Sequence, residues 1–269
     1  MSLKVKDVIK IMETIAPPKL AESYDNVGLM VGSKDEEVIK ILVALDVTLE
    51  VINEAIEKQC NLILTHHPIL FLKPKTITTD TLLGKKIIKL IENKINVYSS
   101  HTNLDAVESG LNDIATELLG YDNHRVLEIN KGIENNNNGV GRVIKVNSSL
   151  TLIELCNKIK EKYNTPFVRY AGNKDKEINT IALINGSGEN YFALAAGNGC
   201  DCIITGDTSY HHVSDIIEDN IAVIDAGHFI TEWPAMKLIG RKLNNIIKDM
   251  GFNNKVIIST CSFDPYNLA

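Results

Sequence analysis

The sequence predicts an α/β fold built from two similar units, an internal duplication, with mainly parallel sheets. Three observations lead there. Short β-branched runs alternate with helical patterns along the chain, which is the rhythm of strand–helix–strand units. The two halves carry matching polar clusters after matching apolar runs. Those clusters are rich in His, Asp and Glu, the side chains that hold divalent metals. Together they place a metal site at strand C-terminal ends, between the two units.

The bulk numbers set the frame. A chain of 269 residues is long for one core and comfortable for two modest ones. Division is expected at 1–128, carrying His66, His67 and Asp105, and at 129–269, carrying His228 and Glu232, with the two packed as one body. Hydrophobic residues make up 44% and charged residues 23% of an ordinary globular composition. A net charge of −6 without a basic run offers no footprint for nucleic acid or an anionic membrane. No stretch approaches the roughly 18 apolar residues of a membrane span, and the first residues form no apolar signal core. Five cysteines without framework spacing argue against disulfides and for a cytoplasmic protein. Cys200 and Cys202, too close for CxxC spacing, read as core fillers.

The elements follow in order. Val5, Val8, Ile9 and Met12 repeat at helical spacing. Ile39 to Leu45 reads as a buried strand ending at Asp46, and Thr48 caps a helix with Val51, Ile52, Ala55 and Ile56 on one face. Leu62-Ile63-Leu64 is the next strand. A helix carrying Leu83, Ile87, Leu90 and Ile91 follows, then a strand over Ile95 to Tyr98 and a helix carrying Leu111, Ile114, Ala115 and Leu118. The Asn-rich run Glu134 to Gly139 favours a surface loop and marks a boundary region. Val140 to Val146 reads as a strand, Thr151 and Glu154 fit a capping box, and a further strand lies near Phe167 to Tyr170. His124 lies in a polar turn and is given no role.

Strand Leu62 to Leu64 ends in Thr65-His66-His67-Pro68, and Cys202 to Ile204 ends in Thr205-Gly206-Asp207. Val97-Tyr98-Ser99-Ser100 runs into His101, and Val223 to Gly227 runs into His228. Four residues past each of these histidines stands a carboxylate, Asp105 or Glu232. Strand C-termini are where open α/β sheets place ligands.

Each candidate has a bland alternative. His66 and His67, on diverging extended backbone, suit two ions rather than one, or else bond to backbone in a partly buried site. His228 and Glu232 at i and i+4 share a helix face and suit Zn, Fe, Mn, Co or Ni. Glu232 alone could simply face a helix dipole. Asp105 is a ligand or a turn residue, and His101 reads better as support for Asp105 or a water than as a ligand. Of His211 and His212, only one can face the strand ends. Gly186-Ser187-Gly188 reads as a tight turn rather than an anion site.

These pieces resemble the NIF-three-like dinuclear metal-centre family, often labelled GTP cyclohydrolase I type 2 homologues. The likeness runs through Tyr24-Asp25-Asn26-Val27-Gly28-Leu29, Thr65 to Pro68, Ser100 to Asp105, Gly186-Ser187-Gly188, Thr205-Gly206-Asp207 with Tyr210-His211, and Gly227-His228 with Glu232. The resemblance implies that His66, Asp105 and Glu232 hold one divalent ion, that His67, His228 and Glu232 hold a second, and that Glu232 bridges them. It also implies a homohexamer. Asp25, His101 and His211 are then supporting candidates. Tyr24 stands where the family usually has Trp, and Met30 where Gln is common; neither touches the ligand set. The chain looks like the short form of the family, without an inserted middle domain.

A two-metal site suits metal-dependent hydrolysis. The cyclohydrolase label rests on naming alone. A nucleotide or phosphoester hydrolase fits the same ligands, and so does a non-catalytic, metal-binding or regulatory hexameric scaffold.

Overall fold

The computed structural model describes residues 2–130 and 137–267. Two compact units emerge, Met1–Leu104 with Met236–Ala269, and Asp105–Ala235. The division expected at 128/129 falls inside a paired strand. What decides the matter is the chain end. The last strand, Lys255–Ile258, returns to the first unit's sheet, a long-range pairing that periodicity does not reveal. Asp105 accordingly belongs to the second unit.

The first unit holds helices α1 (Val5–Ile15), α2 (Leu49–Glu57) and α3 (Leu82–Glu92), and strands β1 (Gly28–Val31), β2 (Lys40–Ala44), β3 (Leu62–Thr65), β4 (Asn96–Ser99) and β11 (Lys255–Ile258). Their order is β1-β4-β3-β2-β11, parallel throughout except for β1 against β4. β3 and β4 are buried along their whole length, as strands of a parallel sheet covered on both faces must be. The Thr48 hydroxyl caps α2 by accepting from Val51 N at 3.1 Å, and Thr81 caps α3 the same way. Leu42, Val51, Ile52, Ile63, Leu90 and Val97 build the core.

The second unit holds α5 (Leu111–Leu118), β5 (His124–Ile129), β6 (Gly139–Thr151), α6 (Leu152–Tyr163), β7 (Arg169–Ala171), β8 (Glu177–Ser187), α7 (Phe192–Gly197), β9 (Cys202–Gly206), α8 (Tyr210–Glu218) and β10 (Ala222–Asp225). A short helix, α4 (Thr102–Ala106), ends within it, Asp105 being the unit's first residue. The long helix α9 (His228–Asp249) begins in it and continues in the first unit's share of the chain. The sheet order is β5-β6-β8-β9-β10-β7. β8, β9 and β10 are parallel; β5, β6 and β7 pair antiparallel around them. The mainly parallel sheet expected here is thus a three-strand parallel core with antiparallel flanks, because the chain supplies crossover helices only between β8, β9 and β10. Thr151 and Glu154 form the expected capping box of α6. Cys202 and Cys200 are core fillers, in separate clusters, and all five cysteines are free thiols. Burial raises the Cys60, Cys156 and Cys200 thiols to about 11.

The duplication is explicit in the topology. Helix, antiparallel edge strand, then β-α-β-α-β appears as α1, β1 and β2–β4, and again as α6, β7 and β8–β10. The sheet orders match: β1-β4-β3-β2 and β7-β10-β9-β8. The residues leading into α1 and α6 pair antiparallel in both cases, Lys4 with Glu37 and Thr151 with Glu177. The ladders set Thr65 beside Ser99 and Thr205 beside Asp225. His101 is therefore level with Gly227, and His228 stands one residue further along than the sequence match implied.

Three strands were not anticipated: β1, β5 and β11. His124, expected in a turn, opens β5, its Nε2 2.8 Å from buried Asp113. Part of the Asn-rich run lies outside the described residues. Within them Asn137 is exposed in a turn, as expected, while Asn138 is buried, its Oδ1 accepting from Glu108 N at 2.8 Å. Among the described residues no helix is long and apolar enough to cross a membrane.

Candidate metal centre

In the first unit three histidines gather past the C-termini of β3 and β4. His66 is fully buried, and its Nδ1–H donates to the Ser100 carbonyl at 2.9 Å. His67 Nδ1 lies 2.8 Å from Asp46 Oδ1, just past β2. His101 Nδ1 lies 2.8 Å from Asp25 Oδ1, just before β1. A hydrogen bond at Nδ1 fixes the ring and makes Nε2 the ligand nitrogen. Ligand atoms of the three rings lie within 4.8 Å of one another. The expected divergence of His66 and His67 does not occur. β3 ends at Thr65, the two histidines sit in a bend, and strand alternation no longer governs them. Their ring centroids are 5.1 Å apart, and His101 stands 5.0 Å from His66. His101, read from sequence as support, enters the same cluster.

Asp25 anchors that cluster. Its side chain is buried and also accepts from Thr102 N at 3.0 Å and from the Thr102 hydroxyl. Burial pushes the carboxyl up, but the hydrogen bonds from His101 and Thr102 outweigh it and hold Asp25 well below the usual carboxylate range.

In the second unit His228 opens α9. Its Nε2 lies 3.0 Å from Glu232 Oε2, one helical turn on, and its Nδ1 lies 2.6 Å from Asp207 Oδ2. Glu232 is buried. The space beside it exists because residue 186 is glycine. A Cβ there would sit 2.2 Å from Glu232 Oε1 and 3.3 Å from His228 Cε1, and the backbone has φ +62°. Gly186 N also donates to the Thr231 hydroxyl at 3.0 Å. Gly186 and Ser187, read from sequence as part of a tight turn, are instead the last residues of β8, and this strand end shapes the floor under Glu232.

The remaining candidates are placed as follows. Asp105 is on α4, half-buried, its backbone carbonyl accepting from Asn112 Nδ2 at 3.1 Å; it is not part of the histidine trio. His211 is exposed on α8 against Tyr210. Its neighbour His212 has Nδ1 2.8 Å from Oε2 of Glu189, the first residue of a short 3-10 helix after β8. Sequence reasoning missed three contributors: Asp46, Asp207 and Gly186. The signal for the two aspartates was present, since each stands just past a parallel strand adjacent to the histidine-bearing one.

The donor chemistry fits a divalent cation. Imidazoles whose Nδ1 is held by oxygen acceptors, next to a buried carboxylate, are the arrangement that metal-ligating histidines adopt. A duplicated α/β fold with such groups at its strand C-terminal ends defines a candidate metal-binding protein. The chain belongs to the Duf34/NIF3 (NGG1p interacting factor 3) family, whose model matches residues 3–265. It is 54% identical over 267 residues to a Clostridium acetobutylicum protein named GTP cyclohydrolase 1 type 2 homolog, covering 99% of both chains. A Clostridium perfringens protein of the same name is 47% identical over 265 residues, covering 98% of this chain and 99% of that one. The crystal structure of Staphylococcus aureus protein SA1388 superposes with a TM-score of 0.90 at 30% identity, covering 99% of each chain.

Proposed function

We propose that the chain is a cytoplasmic, dinuclear metal-dependent hydrolase in which His66, His67, Asp105, His228 and Glu232 hold two divalent ions, with Glu232 bridging, and that it works as a homohexamer. The observation that carries this is the set of fixed rings. His66, His67, His101 and His228 each have Nδ1 held by an oxygen acceptor, which leaves Nε2 of each ring as the nitrogen for a metal. Bound divalent ions would supply polarisation of a carbonyl, imine or phosphoryl oxygen and would acidify a water. The protein's own part is to orient. Asp46, Asp207 and Asp25 hold the imidazoles, and Gly186 leaves room for the Glu232 carboxylate. The relatives' name points to a GTP cyclohydrolase homologue, while the donor set alone supports the broader class of nucleotide or phosphoester hydrolases.

The test is elemental analysis and anomalous scattering after saturation with Mn or Zn, with a hydrolysis screen over nucleotides and phosphoesters. Two ions per chain and turnover that disappears in Glu232→Gln are expected. One ion or none at saturation removes the dinuclear reading. Two ions without turnover of any substrate would favour the scaffold reading instead. Light scattering should report six chains.

A further inference from the structure

On the second unit, α8 and the β7–β10 edge of the sheet border an open cavity of about 340 Å³, at the low end of the range of small-molecule sites. None of the candidate metal ligands lines it. Its wall is apolar where Val213, Ile217 and Val223 face it. Two tyrosines stand at it with much ring surface uncovered, Tyr170 at 44% and Tyr210 at 79% exposure. Aromatic surface left open beside a cavity is what a flat ligand covers.

The cavity holds one cation and one anion, paired with each other. Its charged lining residues are Arg169 and Asp225. Asp225 is buried and its oxygens are already engaged. It accepts from Arg169 Nη2, from the Thr208 hydroxyl at 2.6 Å and from Gly227 N at 3.0 Å. The Arg169 side chain is 67% exposed. A guanidinium has five N–H donors in a fixed fork, so the bond to Asp225 fixes its position and leaves donors directed elsewhere. A pinned arginine among tyrosines and hydroxyls suits an anionic group on a flat ring.

We propose that this cavity binds a small aromatic anion, a single ring carrying a carboxylate or a phosphate. The proposal goes beyond the metal reading and does not depend on it. The test is titration of the full-length chain with benzoate, phenyl phosphate, phenol and inorganic phosphate, followed by NMR chemical shifts, before and after chelator treatment. Benzoate and phenyl phosphate separate the two anion types, and benzoate offers no bond to hydrolyse. One or both should bind at least about tenfold more tightly than phenol or inorganic phosphate, shift Tyr170 and Tyr210 signals, and survive chelation. Arg169→Gln should weaken the aromatic anions about tenfold and leave phenol unchanged. Val213→Trp, which narrows the cavity from the α8 side and keeps the arginine, should weaken every ring-containing probe. Anions that bind no better than phenol, binding indifferent to Arg169→Gln, or binding lost on chelation would overturn the site.

Discussion

Asp207 Oδ2 stands 2.6 Å from His228 Nδ1, and Asp207 itself adopts φ +50°. A non-glycine residue in the left-handed region is costly, and Asp and Asn tolerate it best. The turn after β9 therefore holds an uncommon backbone conformation at the residue that orients a candidate metal ligand. Strain of this kind persists where surrounding structure enforces it.

We expect Asp207→Asn, which keeps the tolerance for positive φ but removes the charge, to lower affinity for the ion at His228 about tenfold while leaving the fold intact. Asp207→Ala should lower affinity up to about 100-fold and also cost about 1–2 kcal/mol of stability. Calorimetric titration with Mn or Zn, paired with urea unfolding, separates the two. Unchanged affinity in Asp207→Asn would make the contact structural only.

Glu232 offers the sharpest contrast. Its two carboxylate oxygens can each bond a different cation, whereas an imidazole presents one ligating nitrogen. Glu232→Gln should weaken both ions together, and His67→Ala should weaken them unevenly. If Glu232→Gln still takes up two ions at wild-type affinity, the carboxylate does not bridge and merely faces the α9 dipole.

Gly186→Ala sets a Cβ 2.2 Å from Glu232 Oε1. We expect loss of about 1–3 kcal/mol from strain together with weakened metal binding, because the carboxylate must shift. Gly199→Ala is the control. It too has positive φ, at +71°, but nothing within 4 Å of the added Cβ, so it should destabilise without changing metal affinity.

Away from the candidate centre, Glu54 on α2 ties down the residues after β11. It accepts from Lys58 Nζ at 2.6 Å, Thr260 N at 2.8 Å and the Ser259 and Thr260 hydroxyls. Burial alone would raise its carboxyl, but the bonds from Lys58, Ser259 and Thr260 outweigh it and bring it down to about 2 from an ordinary 4.5. A carboxyl depressed on folding stabilises fully above the ordinary value and loses that contribution as pH falls towards 2. Urea unfolding of wild type and Glu54→Gln should differ by a constant amount at neutral pH. The gap should narrow between pH 4.5 and 2. A gap independent of pH would show that the ionised form is not what stabilises.

The sequence by itself determined the secondary structure of the parallel cores, the duplication and the strand ends where histidines collect. Each of these is local. Leu62 to Leu64 is a continuous apolar run, Thr48 and Thr151 sit at capping positions, and Thr65-His66-His67 and Thr205-Gly206-Asp207 follow matching strands. Only the tertiary structure decided the rest. β11 joins β2 across more than two hundred residues, and with it the division of the units moves from 128/129 to 104/105 and 235/236. Ladder register sets His228 one residue beyond His101. Asp46 and Asp207 become the partners of His67 and His228 because parallel neighbours bring their C-terminal ends side by side, at separations of 21 residues in both cases. Periodicity reports which face of an element is buried. It cannot report which distant side chain meets that face, because strand order and register are fixed by pairing between segments and not within them.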